Sequence, residues 1–252
     1  MAEGHISSTY LNHITTIEFY HPAQNSMPGN LLADLVRHID MAGEDNNTIL
    51  IVLKSAGDRS FCAGASFTEL ASIQDFETGK NFFMGFANVI NAIRKCPKIV
   101  IGRVHGKAVG GGVGLAAACD YCMATKYASI RLSELAVGIG PFVIGPVVER
   151  KVGLSAFSQM AINANEWQTA EWGKQKGLFT EVFETTEQLD AYIEHFTADL
   201  VTKNPEALNQ LKHIFWTGTE HWDSLLAERA AMSGRLILSD FSKNAINSFL
   251  KA

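Results

Sequence analysis

The segment Gly106-Lys107-Ala108-Val109-Gly110-Gly111-Gly112-Val113-Gly114 concentrates glycine and runs into Leu115-Ala116-Ala117-Ala118, a stretch of good helix formers. Glycine is costly in regular structure unless the backbone must approach something closely. Free N–H groups at the start of the following helix, reinforced by its dipole, attract a negative or partly negative oxygen. Tight packing of helix on strand would select the same residues. A second small-residue loop, Ser60-Phe61-Cys62-Ala63-Gly64-Ala65-Ser66-Phe67, also follows a strand candidate and leads into helix-like sequence. One donor loop binds an anion; two facing a single oxygen make an oxyanion hole.

Other chemistries find less support in the spacing. Gly112-Val113-Gly114-Leu115-Ala116-Ala117 fits G-x-G-x-x-A, but a lone match of that kind is weak. Glu134 stands where an acidic ribose partner would fall, yet Ser129-Ile130-Arg131-Leu132-Ser133 before it is short and polar for a second strand. No P-loop lysine pattern occurs, and Gly153-Leu154-Ser155-Ala156-Phe157 lacks the closing glycine of a nucleophile elbow. Cys119-Asp120-Tyr121-Cys122 is formally C-x-x-C, but no second pair and no histidine pair stands at ligand spacing. The four cysteines read as reduced core residues, and no metal is expected.

The chain has 252 residues, 47% hydrophobic and 19% charged, a balance that supports a large core and excludes disorder, collagen and a coiled-coil rod. The formal charge is −5, with no run of four basic residues, so nucleic acid is not an expected partner. No apolar run approaches the roughly 20 residues that cross a bilayer. Met1-Ala2-Glu3-Gly4-His5 lacks the basic and apolar blocks of a signal peptide, which leads us to expect a cytoplasmic protein without membrane contact.

To position the two loops, the first two-thirds of the chain alternates β-rich runs with helical periods, a mixed α/β grammar. Strands are expected at 14–20, 49–54, 99–104, 122–125 and 179–183. Between the first two, Ser26 is the expected cap of a helix that tolerates Pro28 in its first turn and aligns Leu31, Leu32, Leu35, Val36 and Ile39 on one face. Between the next two, Phe82, Phe83, Phe86, Val89, Ile90 and Ile93 do the same. From about Thr185 only helical stretches follow, divided by Asn204-Pro205 and Thr217-Gly218. Their apolar residues, among them Leu208, Trp216, Trp222 and Leu226, need a surface, either their own domain or another subunit. No repeat of fixed period is visible.

Several motifs in order make the chain similar to the crotonase superfamily, the enoyl-CoA hydratase/isomerase family, over nearly its whole length. His21-Pro22-Ala23-Gln24-Asn25-Ser26-Met27 resembles the family's P-x-x-x-N segment, and Phe61-Cys62-Ala63-Gly64-Ala65-Ser66 its F-x-A-G-A-D loop. Pro97-Lys98-Ile99-Val100-Ile101, with His105-Gly106, Ala108-Val109-Gly110-Gly111-Gly112 and Cys119-Asp120, resembles its central glycine block. Ser133-Glu134 followed by Gly138 resembles the next.

That resemblance implies a spiral of β-β-α units over residues 1–190 and a helical C-terminal domain over 191–252, assembled as a homotrimer or homohexamer. It implies an acyl-CoA thioester as substrate, with coenzyme A as part of that substrate and no separate cofactor. The N–H groups of Ala65 and Gly111 would hold the thioester oxygen. Pro22, Ala23, Asn25 and Ala63 would follow the CoA moiety, with Gly64, Gly110, Gly138, Pro141 and Phe142 completing the substrate site. Ile139, Val143 and Ile144, beside Phe142, are either acyl-pocket wall or ordinary core.

Hydratases of the family carry two glutamates, and here the first position is Gly114. Glu134 alone remains, as in enoyl-CoA isomerases where a single glutamate shuttles a proton between two carbons. Without the resemblance, Glu134 reads as a residue of a surface turn. Isomerisation is therefore expected ahead of hydration, for instance of a branched or methylglutaconyl-type enoyl-CoA. Glu69, Asp75 and Glu77 stand as candidates for a second acid. Ser66 replaces the usual Asp, and with Gly114 it leaves open a non-catalytic acyl-CoA-binding protein of the same fold.

Overall fold

The computed structural model describes residues 4–251. His5–Leu11 (β1) and Ile14–Tyr20 (β2) form an antiparallel hairpin that runs from His5 opposite Tyr20 to Leu11 opposite Ile14. Asn12 and His13 turn it with φ of 50° and 65°, a left-handed pair whose twist suits the strands. β2 has its expected bounds because Thr15, Ile17 and Phe19 alternate into the core. β1 was not expected, and the reason is physical: only Ile6 of its seven residues is buried, so it carries no alternation to read.

Next comes Gly29–Glu44 (α1), which buries Leu31, Leu32, Leu35 and Ile39 and leaves Val36 half-buried. Its N-cap is Pro28, not Ser26. Met27 is paired in a parallel bridge with Ala65, which keeps the chain extended past Ser26 and delays the helix.

Three β-β-α turns follow. Leu50–Ser55 (β3) and Ser60–Cys62 (β4) lead to Phe67–Ser72 (α2) and Phe76–Lys95 (α3). Ile99–Val104 (β5) and Lys107–Val109 (β6) lead to Gly111–Ala118 (α4). Tyr121–Thr125 (β7) and Ser129–Arg131 (β8) lead to a 3-10 turn, Glu134–Val137, and to Gly145–Ile162 (α5), which breaks at Gly153. Gln168–Thr169 (β9), Ala170–Gln175 (α6) and Glu181–Phe183 (β10) close the series. The first strand of each pair joins a six-stranded sheet ordered β1-β2-β3-β5-β7-β10, and the second joins a four-stranded sheet ordered β4-β6-β8-β9. The result is the expected mixed α/β spiral. Its turns begin at residues 50, 99 and 121, and this unequal spacing hides the repeat from a search for a fixed period.

After β10 the described chain is helical, as the change of pattern near Thr185 implies: Thr186–Leu200 (α7), Pro205–Phe215 (α8), Trp222–Leu236 (α9) and Asp240–Lys251 (α10). Thr185 caps α7 by accepting from the Gln188 N–H, and Asn204 caps α8. These helices return to the spiral. Trp216, Trp222, Leu226, Ala230, Ile237 and Ile246 join the core that also holds Phe19 and Phe61. α9 crosses α3 at a pair of glycines: a methyl group on Gly234 would stand 2.6 Å from the Lys80 backbone nitrogen, and one on Gly79 3.0 Å from the Gly234 carbonyl oxygen. Ile214 and Phe215 remain exposed.

A buried polar knot fixes α8. Lys212 Nζ stands 2.6 Å from Asp120 Oδ2, with both side chains almost wholly enclosed. The Trp216 indole N–H and the Val100 N–H also donate to that carboxylate, at 2.8 and 2.7 Å. Among the described residues no helix is long and apolar enough to cross a membrane.

All four cysteines are buried and free. Burial pushes the Cys62 and Cys122 thiols up to about 12. A methyl group on Gly102 would lie 2.9 Å from Cys119 Sγ and 3.0 Å from Cys122 Sγ, so the C-x-x-C pair is packed around a strand glycine. Among the described residues no cluster of three potential metal ligands occurs.

Removing one member of a buried pair strands the other charge. Lys212→Met, which keeps most of the volume, is expected to lower stability by about 3–5 kcal/mol in urea denaturation. A loss under about 1 kcal/mol, the range of an exposed pair, would show that the knot does not hold α8.

Candidate active site

The two glycine-containing loops meet. Gly64 has φ of +86°, and a methyl group there would lie 2.7 Å from the Val109 carbonyl oxygen and 3.5 Å from the Gly111 nitrogen. Only a residue without a side chain allows both that backbone and that approach. The first loop is held from its other side by the Met27–Ala65 bridge: Met27 N–H donates to Gly64 O at 2.8 Å, and Ser66 N–H to Met27 O at 3.4 Å. Those bonds leave the Ala65 N–H out of the ladder. Gly111 opens α4, so its N–H has no carbonyl four residues back within the helix. Ala65 and Gly111 line the same cavity.

Ser66 accepts from the Glu69 N–H at 3.3 Å and thereby caps α2. Hydroxyl and carboxylate side chains do that work comparably, which accounts for serine at the position where the family has aspartate. Ser66-Phe67-Thr68-Glu69 has the S-x-x-E capping pattern, a signal available in the sequence. The Glu69 carboxylate turns instead to α1, where Oε2 accepts from the Gly29 N–H at 2.7 Å.

Glu134 is delivered by the four-stranded sheet. β8, though short, pairs with β6 through Ala108 opposite Ile130 and Val109 opposite Arg131. Its single inward residue, Ile130, is too little pattern to read, so the segment was not expected as a strand. The Gly110 N–H donates to Arg131 O at 2.8 Å and ties the Glu134 segment to the glycine cluster. Gly110 itself has φ of +51°, and a methyl group there would stand 2.9 Å from Glu134 Oε1. The residue as a whole is half-buried, but Oε2 is closed off from solvent and has no protein partner among the described residues. Burial pushes the Glu134 carboxyl up from 4.5 to about 7. A surface turn would not do this.

Apart from Ser133 and Ser233, the other residues that line the cavity are apolar, among them Phe67, Leu70, Phe83, Phe86, Ile139 and Val143. Ala63, Gly64, Gly110, Pro141, Phe142 and Ile144 also line it. Gly138 does not. It terminates the 3-10 turn with φ of +80°, and a methyl group there would meet Phe241 and Ser242 of α10. Pro22 and Asn25 border a separate cleft of about 200 Å³, to which Ala23 contributes no lining. Both amide hydrogens of Asn25 are committed, to Ala56 O and Ser60 O at 2.8 and 2.9 Å, so this side chain braces the loop. The cleft adjoins the first loop through Ala63 N–H donating to Gln24 O at 3.1 Å.

Among the described residues no second carboxylate lines the cavity. Asp75 caps α3 by accepting from the Thr78 N–H at 2.9 Å, Glu77 is exposed, and Glu69 is engaged with α1. The space beside Gly114 is taken by Ile144, whose Cγ2 would stand 2.4 Å from a methyl group on that glycine. Residues missed by the sequence reading include Ser133 and Ser233. Ser233 arrives from α9 across a long sequence separation and carries no local signal.

The family model for Enoyl-CoA hydratase/isomerase matches residues 9–251, and the chain belongs to that family. It is 32% identical over 169 residues to the mitochondrial methylglutaconyl-CoA hydratase of Mus musculus, covering 67% of this chain and 53% of that protein. It is 25% identical over 221 residues to the peroxisomal Delta(3,5)-Delta(2,4)-dienoyl-CoA isomerase of Arabidopsis thaliana, covering 81% of this chain and 78% of that one. The match thus spans about half the length of the mouse relative. Among solved structures, the enoyl-CoA hydratase from Bacillus halodurans superposes with a TM-score of 0.89 at 19% identity, covering 96% and 99% of the two chains, a likeness of fold.

The raised pKa of Glu134 has a consequence for stability. Between 4.5 and about 7 the folded protein holds a proton that the unfolded chain has lost, so this residue makes stability fall as pH rises through that window. Glu134→Gln removes the effect. Relative to wild type the variant should gain roughly 3 kcal/mol between pH 4.5 and pH 8, read by urea denaturation at both. A difference independent of pH would mean that the carboxyl is not perturbed.

Proposed function

We propose that this chain isomerises the double bond of an enoyl-CoA thioester. The observation that carries the reading is Glu134, the one carboxylate among the described residues that lines the cavity, beside two free backbone donors and with Ile144 occupying the space at Gly114. Coenzyme A is part of the substrate and no separate cofactor enters. The CoA portion runs past Ala63 toward the cleft bordered by Pro22. Assembly as a homotrimer or homohexamer is part of this proposal; Ile214 and Phe215 are exposed on α8.

The carbon next to a thioester carbonyl is a weak acid, because the electron pair released on deprotonation moves onto oxygen. In the proposed reaction the Glu134 carboxylate takes the proton from that carbon, and the C–H electrons form the new double bond of an enolate. The Ala65 and Gly111 N–H groups hold the enolate oxygen, with the positive end of α4 behind Gly111. Each donor of this kind is worth about 2.7–4 kcal/mol. Glu134 then returns the same proton to the carbon at the far end of the old double bond, the carbonyl reforms, and the alkene stands conjugated with it. Atoms balance without water. A carboxyl near neutrality suits both halves, since it must accept and then give up one proton.

Hydration is the competing reading, favoured by the name of the mouse relative. Water addition commonly uses one carboxylate to orient water and another to deliver a proton, and among the described residues no second one lines the cavity.

A 3-enoyl-CoA and a 2-enoyl-CoA offered side by side, with product mass recorded, separate the two. Isomerisation leaves the mass unchanged and shifts the absorbance; the gain of one water from the 2-enoyl thioester without bond migration would overturn the proposal. Glu134→Gln should lower kcat by about 100- to 10,000-fold while CoA-thioester binding persists, and retained turnover would remove Glu134 from the mechanism. Because the base must be ionised, kcat/KM should rise with pH through about 7 and then level. An activity flat between pH 5 and pH 8 would contradict that assignment.

A further inference from the structure

Resting on the acyl-CoA reading, we infer that Glu69 is a positioning residue for the Ala65 donor, acting through the bond its carboxylate makes between α2 and the start of α1. The elements on the two sides of that bond show why it is needed. α2 has six residues, Phe67–Ser72, of which only Leu70 is buried. So short a helix does not hold its own shape in water, yet it begins just after Ala65, and its Phe67 and Leu70 line the cavity. α1, in contrast, is anchored in the core by Leu31, Leu32, Leu35 and Ile39.

The two segments are joined at two points. The first is the Met27–Ala65 bridge, in which the bond from the Ser66 N–H to Met27 O is long, at 3.4 Å. The second is the bond from the Gly29 N–H to Glu69 Oε2, at 2.7 Å. Hydrogen bonds to a carboxylate are roughly twice as strong as those between neutral groups. This one also meets an unfilled place: the N-cap of α1 is Pro28, without a side-chain cap, and the first turn of α1 holds no acidic residue. A helix N-terminus carries unpaired N–H groups and attracts negative charge. Glu69 thus supplies from α2 the cap that α1 lacks. Gly29 leaves it room, since a methyl group there would stand 2.9 Å from Glu69 Oε1.

Bridge and carboxylate together close a ring, with one arm from Met27 to Gly29 and the other from Ala65 to Glu69. Within the second arm Ser66 accepts from the Glu69 N–H, so the residue that reaches α1 is itself fixed in direction. With the bridge alone, the Ala65 peptide is held at one point and can turn about it. An oxyanion donor works only when it is aimed at the oxygen, and a misplacement of about 1 Å can cost about 100-fold in rate.

The bond can be cut from either partner in the full chain. Glu69→Ala removes the acceptor, Gly29→Pro removes the donor at a helix position that tolerates proline, and Glu69→Gln keeps an acceptor oxygen. The probe is 2,4-hexadienoyl-CoA, a conjugated thioester whose absorption moves to longer wavelength when its carbonyl oxygen is hydrogen-bonded. Wild type should bind it with such a shift. Glu69→Ala and Gly29→Pro should each lose most of the shift and lower kcat on a 3-enoyl-CoA by about 10- to 100-fold, while butyryl-CoA affinity changes by less than about 3-fold, as for a group that acts on the transition state. Glu69→Gln should keep the shift, and the double variant Glu69→Ala with Gly29→Pro should be no worse than the poorer single one, because both changes delete one bond. A full shift in folded Glu69→Ala and Gly29→Pro, losses that add in the double variant, or a loss in Glu69→Gln equal to that in Glu69→Ala would each overturn the inference. If Glu69→Ala does not fold, Gly29→Pro and Glu69→Gln decide it. A wild-type shift without migration of any double bond would sink the isomerase reading and leave the inference standing on the shift. No shift in wild type would overturn the donor site and the inference with it.

Discussion

The site depends on one close backbone approach, that of Gly64 to Val109 and Gly111. Two strands of the smaller sheet, β4 and β6, are neighbours, and each ends in a loop rich in small residues. Because no side chain intervenes between those loops, main-chain donors separated by a long stretch of sequence can line one cavity. Any residue larger than glycine at position 64 would wedge them apart, since a first carbon would already lie 2.7 Å from a carbonyl oxygen. The Met27–Ala65 bridge supplies the opposing restraint and fixes the loop from the side of α1.

Around that contact the protein assembles an environment unfavourable to charge. The Glu134 carboxylate has an oxygen without a protein partner and lies among phenylalanine, leucine and isoleucine side chains. Such a group destabilises the folded state above its own pKa, and active sites are where proteins hold groups of this kind. The surrounding structure must offset the loss. It does so through an apolar core continuous from β2 to α10, and through the buried ion pair that fastens α8 beneath β5 and α4.

The helical tail lines the candidate site as well as packing on the core. α9 supplies a wall of the cavity, and α10 packs on α2 and on the 3-10 turn that begins with Glu134. Gly138, read from the sequence as a substrate contact, belongs to this second layer. It marks where the Glu134 segment turns against α10.

What the sequence determined by itself was local. Alternation defined β2, the helical period defined α1 and the phenylalanine face of α3, and the ordered motifs pointed to the family and to Ala65, Gly111 and Glu134 as site residues. Strands β1, β4, β6, β8 and β9 were not legible, because they are short or mostly exposed on one side and are defined by pairing with partners distant in the chain. Tertiary structure alone decided the rest. It separated Asn25 and Gly138 from the cavity, filled the space beside Gly114 with Ile144, brought Ser233 to the wall, and turned a glutamate that reads as a surface residue into one whose proton is held near neutrality. Burial and desolvation depend on what other segments bring to a residue, and nothing in its own neighbours in sequence records that.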